Sequence, residues 1–251
     1  MLATDTARQW LDRWDRQQEV YITDREERFA VVGDVIEASS GRADPLIVDL
    51  GCGPGSLAAR LVHRMPQAQI VGIDSDPLLL EMAQSAYGDR PGLGFVEGDL
   101  RTPGWHRRLG LDRAPDAFVS TTALHWMNRR ELARLVRECA GLIRPGGVFV
   151  NGDHIGDGDI QPRLDEMTRA VRIGRERRSR AGGDKDWEDR WHAPELADLV
   201  AARAAKDLEP ARSDAPSVAE HVAMLRVAGF AEAGVVWQIG DDRVVVGIAE
   251  S

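Results

Sequence analysis

Residues 45–65, PLIVDLGCGPGSLAARLVHRM, run from a short apolar stretch through a glycine-rich turn into an amphipathic segment with Leu57, Leu61 and Met65 on one face. This strand, turn and helix unit narrows the fold more than any other feature of the chain. A strand with no polar face needs cover on both sides, and the helix that follows supplies one of the covers. The pattern then repeats. QIVGID (69–74) reads as a strand and PLLLEMAQSAY (77–87) as a helix opened by Pro77 in its first turn. LGFVEGD (93–99), DAFVSTT (116–122) and GVFVNGD (147–153) read as further strands, with a helix over RRELARLVRECAGLI (129–143) before the last. The alternation predicts a parallel sheet with helices on both faces.

The flanks differ from this core. Trp10, Trp14, Phe29, Val32, Val35 and Ile36 recur at helical spacings and predict two amphipathic helices divided near Tyr21 and Thr23. Between Asp153 and Pro216 lies a charged segment with helix-like pieces, PRLDEMTRAVRIGRERR and PELADLVAARAA. SVAEHVAMLRVAGF then predicts a helix ending at Gly229, and AGVVWQIGDDRVVVGIA two strands joined by a tight Gly-Asp-Asp turn.

A chain of 251 residues that is 43% hydrophobic and 29% charged suits one globular domain. Its net charge of −9 argues against a nucleic-acid partner, because such affinity rests on cationic side chains neutralising phosphates. Cys52 and Cys139 have no metal-ligand spacing, so no metal is expected, and the setting read from them is reduced and cytoplasmic. The start, MLATDTARQW, lacks a secretory signal, and no apolar run approaches the roughly 20 residues of a membrane span.

The loop DLGCGPG (49–55) admits two readings. As Gly51-x-Gly53 it could open a dinucleotide site, with a pyrophosphate on the helix amino terminus. However, the third glycine, Gly55, falls one place early for that pattern, and Asp49 stands two residues before the first glycine. A carboxylate there repels a pyrophosphate and suits a cationic ligand.

Four motifs in order, VDLGCGPGSLA (48–58), Asp74 at the end of the second strand, Asp99 in GDL, and LIRPGGVFV (142–150), resemble those of class I S-adenosylmethionine-dependent methyltransferases of the small-molecule type. The resemblance implies an α/β fold with a Rossmann-like, seven-stranded, mostly parallel sheet ending in an antiparallel hairpin. It implies one domain: a helical cover over 1–44, a cofactor-binding core over 45–153 and 216–251, and an inserted substrate lid over 154–215. Within the core, Gly51, Gly53 and Gly55 let the backbone approach the amino-acid part of the cofactor beside Asp49. Asp74, with Ser75, would hold the ribose hydroxyls. Asp99, with Leu100, would meet the adenine, and Thr121 would end the fourth strand beside the cofactor. Arg28, in TDREERF, is the candidate for the cofactor carboxylate. Each has an ordinary reading as well: Asp74 as a helix cap, Asp99 in a solvated turn, Arg28 on the surface, and Trp10 and Trp14 in helix packing.

The resemblance also implies an in-line attack on the sulfonium methyl, which leaves S-adenosylhomocysteine as product, and it sets STTALHWMN (120–128) beside that methyl. His125 is either a base or a pocket wall, and His154, beyond the fifth strand, is a second candidate base. Trp126, Tyr21, and Trp187 with Trp191 in the insertion are candidates for the substrate pocket. The Asn/Asp-Pro-Pro-aromatic motif of enzymes acting on bases or glutamine is lacking, so a small-molecule acceptor is expected, at oxygen, nitrogen or carbon with oxygen preferred, in secondary metabolism. The arginines of 162–180 read as a solvated helix face. An NAD-dependent oxidoreductase and a non-catalytic cofactor-binding partner protein are the alternatives, and the oligomeric state is left open.

Overall fold

Every residue of β1 (Leu46–Leu50) is buried, as expected of a strand with no polar side to turn to water. In this computed structural model, which describes residues 1–158, 160–179, 193–206, 208 and 215–251, β1 lies at the centre of the sheet. It runs parallel to β2 (Gln69–Asp74), with Asp49 opposite Gly72, and to β4 (Ala117–Thr121), with Asp49 opposite Val119. Beyond them lie β3 (Leu93–Glu97) and β5 (Val148–His154), both parallel. The terminal hairpin completes the sheet: β7 (Asp242–Ala249) pairs antiparallel with β5, and β6 (Phe230–Ile239) forms the edge. The order is β3-β2-β1-β4-β5-β7-β6. Successive strands step one way from β1 and then the other, and at that switch point a crevice opens beyond the strand ends.

Helices cover both faces. On one, Val32 and Ile36 of α2 (Arg25–Ser40) and Leu57 and Leu61 of α3 (Ser56–Arg64) pack on Ile47, Val119 and Val150. On the other, Leu132 and Leu135 of α5 (Arg129–Leu142) and Leu225 of α8 (Val218–Ala228) pack on Phe118, Phe149 and Val245. Each fully buried side chain of this kind contributes roughly 1.5–3 kcal/mol. α1 (Thr4–Tyr21) lays Trp10 against Leu78, Leu79 and Met82 of α4 (Pro77–Tyr87).

Local chemistry sets the helix starts. Asp76 caps α4 by accepting from the backbone of Leu78 and Leu79, and Pro77 follows. The Asn128–Glu131 and Ser217–Glu220 pairs form reciprocal capping boxes for α5 and α8. α8 ends at Gly229 in the left-handed conformation (φ 115°), as its sequence predicts.

The insertion does not act as one piece. α6 (Pro162–Ser179) packs by the hairpin turn, where Arg172 Nε meets Asp241 at 2.6 Å. α7 (Ala197–Ala204) and the turn before it pack on α4 through Leu196. Among the described residues no helix is long and apolar enough to cross a membrane.

Asp116 ties the strand starts together. Its carboxylate is buried and accepts from the Leu46 amide (2.8 Å), Arg144 Nε (2.5 Å) and Arg113 Nη1 (3.3 Å). Replacing it with alanine strands an amide and two guanidinium groups, so Asp116→Ala should lower stability by about 3 kcal/mol. A urea midpoint within experimental error of the parent would refute this.

Candidate active site

The glycine turn after β1 is left-handed three times over, with φ of 69° at Gly51, 53° at Gly53 and 82° at Gly55. At Gly51 a Cβ would also stand 2.4 Å from that of Ala123, so the turn after β1 and the turn after β4 touch only because one residue has no side chain. The Gly51 and Cys52 amides donate to the Ile73 carbonyl, and the Gly53 amide to Asp74 Oδ2 at 2.7 Å. Asp74 Oδ1 takes the Asp76 amide at 2.9 Å. Asp74 therefore fastens the loop, and the helix cap is Asp76, not Asp74.

The loop opens on a cavity of about 580 Å³ at the switch point. Asp49, Asp74, Ser75, Asp99, Leu100 and Thr121 line it with the three turn segments, as do Trp14, Gln18, Ile22, Phe29 and Arg25 from the amino-terminal cover. Asp99 serves its own turn at the same time, accepting from the Arg101 amide at 2.8 Å. Arg203 and Leu208 of the insertion lie along this cavity too, and Arg203 pairs with Asp76 at 3.0 Å. This part of the insertion thus flanks the Asp74 side of the cavity.

Asp49 lies near enough to Asp74 to feel its like charge. Asp49 is 1% exposed, and its Oδ2 has no hydrogen-bond partner. Burial first, and the like charge of Asp74 second, raise its pKa to about 7. Burial raises Asp74 as well. An unpartnered acidic oxygen beside left-handed backbone is a cradle for a group that is positive and comes close, and it is hostile to a pyrophosphate.

Arg25 lines the cavity together with Arg101 and Arg203. Only 5% exposed, it bonds Asp15 through Nη2 at 3.0 Å, while its Nη1 makes no hydrogen bond and stands 3.7 Å from Glu26. Asp15 in turn accepts from Ser56 Oγ at 2.6 Å and pairs with Arg60 at 3.0 Å, which latches α1 onto the start of α3. Arg28, expected at the cofactor carboxylate, does not line the cavity. It is fully buried behind the wall and bonded to Asp242 and Thr122. One helical turn separates the two arginines, and they face different partners.

The turn after β4 adds His125 and Trp126 to the lining, in a single turn of 3₁₀ helix (Leu124–Trp126). His125 Nδ1 lies 2.9 and 3.0 Å from the two oxygens of Asp153, and the His125 amide donates to the same carboxylate. Asp153 is buried on β5 and held near pKa 2, with His125, Arg28 and His154 offsetting its burial. Asp153 is the largest influence on His125 and raises its pKa. With Nδ1 taken, Nε2 is the ring nitrogen left for a bound molecule. Trp126 is 42% exposed and its ring lies 6.0 Å from the imidazole, so it offers a flat apolar surface at the mouth.

The remaining candidates lie elsewhere. His154 follows Asp153 on the strand, so its side chain leaves the other face of the sheet. It does not line the cavity, and burial lowers its pKa. Tyr21 is 41% exposed at the end of α1, and its neighbour Ile22 lines the cavity instead. Trp187 and Trp191 fall outside the described residues.

With this geometry in hand, the likenesses to known proteins can be stated. Residues 47–147 match the family model described as a methyltransferase domain. Over that core the chain is similar to methyltransferase domains, and its fold is that of S-adenosylmethionine-dependent methyltransferases of known structure. Among curated relatives, the trans-aconitate 2-methyltransferase of Methylobacterium radiotolerans is 32% identical over 52% of this chain and 46% of its own length. That of Azoarcus sp. (strain BH72) is 35% identical over 54% and 49%. The chain spans about half the length of the curated relatives it matches. The fold is shared with magnesium protoporphyrin IX methyltransferase from Synechocystis PCC 6803 with bound S-adenosylhomocysteine (TM-score 0.57, 17% identity, 96% of this chain and 95% of that one). It is also shared with an O-methyltransferase family protein from Burkholderia thailandensis (TM-score 0.55, 18% identity, 97% and 70%).

A carboxyl whose folded pKa lies above its unfolded value of about 3.9 favours the native state only while it stays protonated. Ligand-free protein should therefore lose stability as pH rises from about 4 to 7, and level off above it. Asp49→Asn should flatten that fall, as measured by thermal unfolding across the range. Parallel curves for the two proteins would contradict the assignment.

Proposed function

We propose that the chain transfers a methyl group from S-adenosylmethionine to an oxygen of a small metabolite held between His125 and Trp126. The observation that carries the reading is the His125–Asp153 pair at one end of a cavity whose other end presents Asp49 and Asp74. When bound, the cofactor supplies a methyl on a cationic sulfur and leaves as a neutral thioether. This chain's residues fit its parts: Asp49 for positive charge, Arg25 Nη1 for the carboxylate, the remaining lone pairs of Asp74 for ribose hydroxyls, and Asp99 with Leu100 for the adenine. Asp74→Ala should weaken cofactor affinity at least tenfold, since a carboxylate accepting charge-assisted bonds is lost together with the loop's anchor. Calorimetry giving an unchanged affinity would refute the ribose assignment.

Holding nucleophile and methyl in line is worth up to ~7–11 kcal/mol, and the protein's main work is of that kind. For a hydroxyl acceptor, Asp153 fixes the tautomer that turns the Nε2 lone pair towards the cavity, and His125 takes the proton. A second reading draws on the raised pKa of His125 and on the relatives named for trans-aconitate. An imidazolium at the mouth suits a carboxylate acceptor, which is ionised already and needs no base.

The two readings give opposite signs. A base must be neutral, so the rate should climb as pH rises through the raised pKa of His125. A charge that holds a carboxylate must be protonated, so the rate should fall over the same interval. Asp153→Asn should move the inflection to lower pH in either case, because the largest influence raising it is gone. An inflection unmoved in Asp153→Asn and absent from neither protein would take His125 out of the reaction. The acceptor itself is best sought by mass spectrometry of small-metabolite pools for species that gain one methyl when protein and cofactor are added.

A further inference from the structure

Arg28 is the largest charged investment of the fold that the site does not use directly. It has no exposure, and its two terminal nitrogens are committed to different elements: Nη1 to Asp242 Oδ1 at 2.8 Å in the hairpin, and Nη2 to Thr122 Oγ1 after β4. Its stem lies so close to β5 that a Cβ on Gly152 would stand 2.9 Å from Arg28 Cδ. The Gly152 carbonyl accepts the Thr122 amide at 2.9 Å. Thr122 is, among the described residues, the non-glycine with a positive φ (54°), a conformation that a β-branched side chain adopts only when its surroundings hold it there.

The anchor on the far side of Arg28 is itself tied down. Asp241, Asp242 and Arg243 follow one another through the hairpin turn, and each pairs with a different element: Arg172 of α6 at 2.6 Å, Arg28 of α2, and Asp157 after β5 at 2.7 Å. The Asp241 carbonyl also takes the Ile155 amide. Arg28 therefore bridges a fixed turn to a strained one, and the strained turn leads within three residues to His125.

We propose that Arg28 is a positioning residue: by bonding Asp242 and Thr122 together it holds the turn after β4 in the strained conformation that sets His125 on Asp153 at the reaction end of the cavity. The proposal rests on the reading of His125 as a group that meets the acceptor. It replaces contact between Arg28 and the cofactor with action through Thr122.

The charges around His125 give a readout that separates a positioning role from a plain charge effect. Asp153 and His154 lie on β5, Arg28 on α2 with Asp242 behind it on β7, and His221 of α8 lies near Asp153. The experiment is an NMR titration of the His125 ring in ligand-free protein, for the parent, Arg28→Gln and Asp242→Asn. If Arg28 holds the turn, its loss lets His125 leave Asp153, the largest influence raising it, so the His125 midpoint should fall in Arg28→Gln, whereas mere removal of a repelling cation would raise it. Removing the Asp242 charge leaves Arg28 uncompensated, so the midpoint should fall in Asp242→Asn. Cofactor affinity of Arg28→Gln should stay within about twofold of the parent while turnover falls roughly tenfold or more, as expected of a lost alignment. A midpoint that rises in Arg28→Gln, midpoints that do not move, or a tenfold loss of cofactor affinity in Arg28→Gln would each overturn the proposal. Should Arg28→Gln fail to fold, Asp242→Asn takes the charge from one of the two contacts and Thr122→Val removes the hydroxyl of the other. A His125 midpoint and turnover at parental values in both would then overturn it. The titration needs neither cofactor nor acceptor, so its failure and the failure of the methyl-transfer reading are separate results.

Discussion

Two carboxylates on adjacent strands, Asp49 buried and Asp74 half-buried, are the constraint around which this molecule is arranged. Asp49 and Asp74 cannot both carry full charge there unless something positive joins them, and within the described structure Asp49 Oδ2 has no partner at all. The fold tolerates this because everything next to it is rigid. Left-handed glycines bring the loop against Asp74, Ile73 accepts the two amides that start the turn, and the Asp15 cluster latches α1 and α2 over the top. A site kept short of one positive charge and open to close approach is preorganised for a cationic ligand.

The opposite end of the same cavity is built differently. There His125 is paired with Asp153, and behind the wall Arg28 is paired with Asp242. The contrast fits a division of labour in which one end binds by an unmet charge and the other handles a proton or an anion with a group whose ionisation is set by its neighbours. The two ends meet at Ala123, whose methyl fills the space that a side chain on Gly51 would occupy. A change in either turn is therefore felt by the other.

Much of the architecture was legible in the sequence because burial on both faces leaves strands with no polar residue to disguise them. β1, β2 and β4, the Pro77 helix start, the Gly229 stop and the terminal hairpin all appear where their residues predict. The acids of the cavity were legible for the same reason: an Asp that ends an apolar strand has to be explained. Asp153 was not singled out, although Asn151 and Asp153 at alternate positions of a strand meant to be buried were the available signal. Side-chain alternation then decided between neighbours, setting Asp153 on His125 and His154 on the other face. Arg25 and Arg28 could not be told apart by spacing, since one helical turn serves both, and only tertiary packing assigns one to the cavity and the other to Asp242. Of the insertion read as a substrate cover, α7 brings Arg203 beside Asp76. Its amphipathic pattern shows that it packs, without showing against what.

The most direct test of the central claim, that a buried and unmatched acid awaits a cationic cofactor, is the proton count on binding. S-adenosylmethionine titrated calorimetrically near pH 6, in two buffers of different ionisation enthalpy, should release a proton in part. The ligand drives Asp49 from its protonated to its ionised form, and the release should vanish in Asp49→Asn. Binding with no proton released, or the same release from both proteins, would contradict the account.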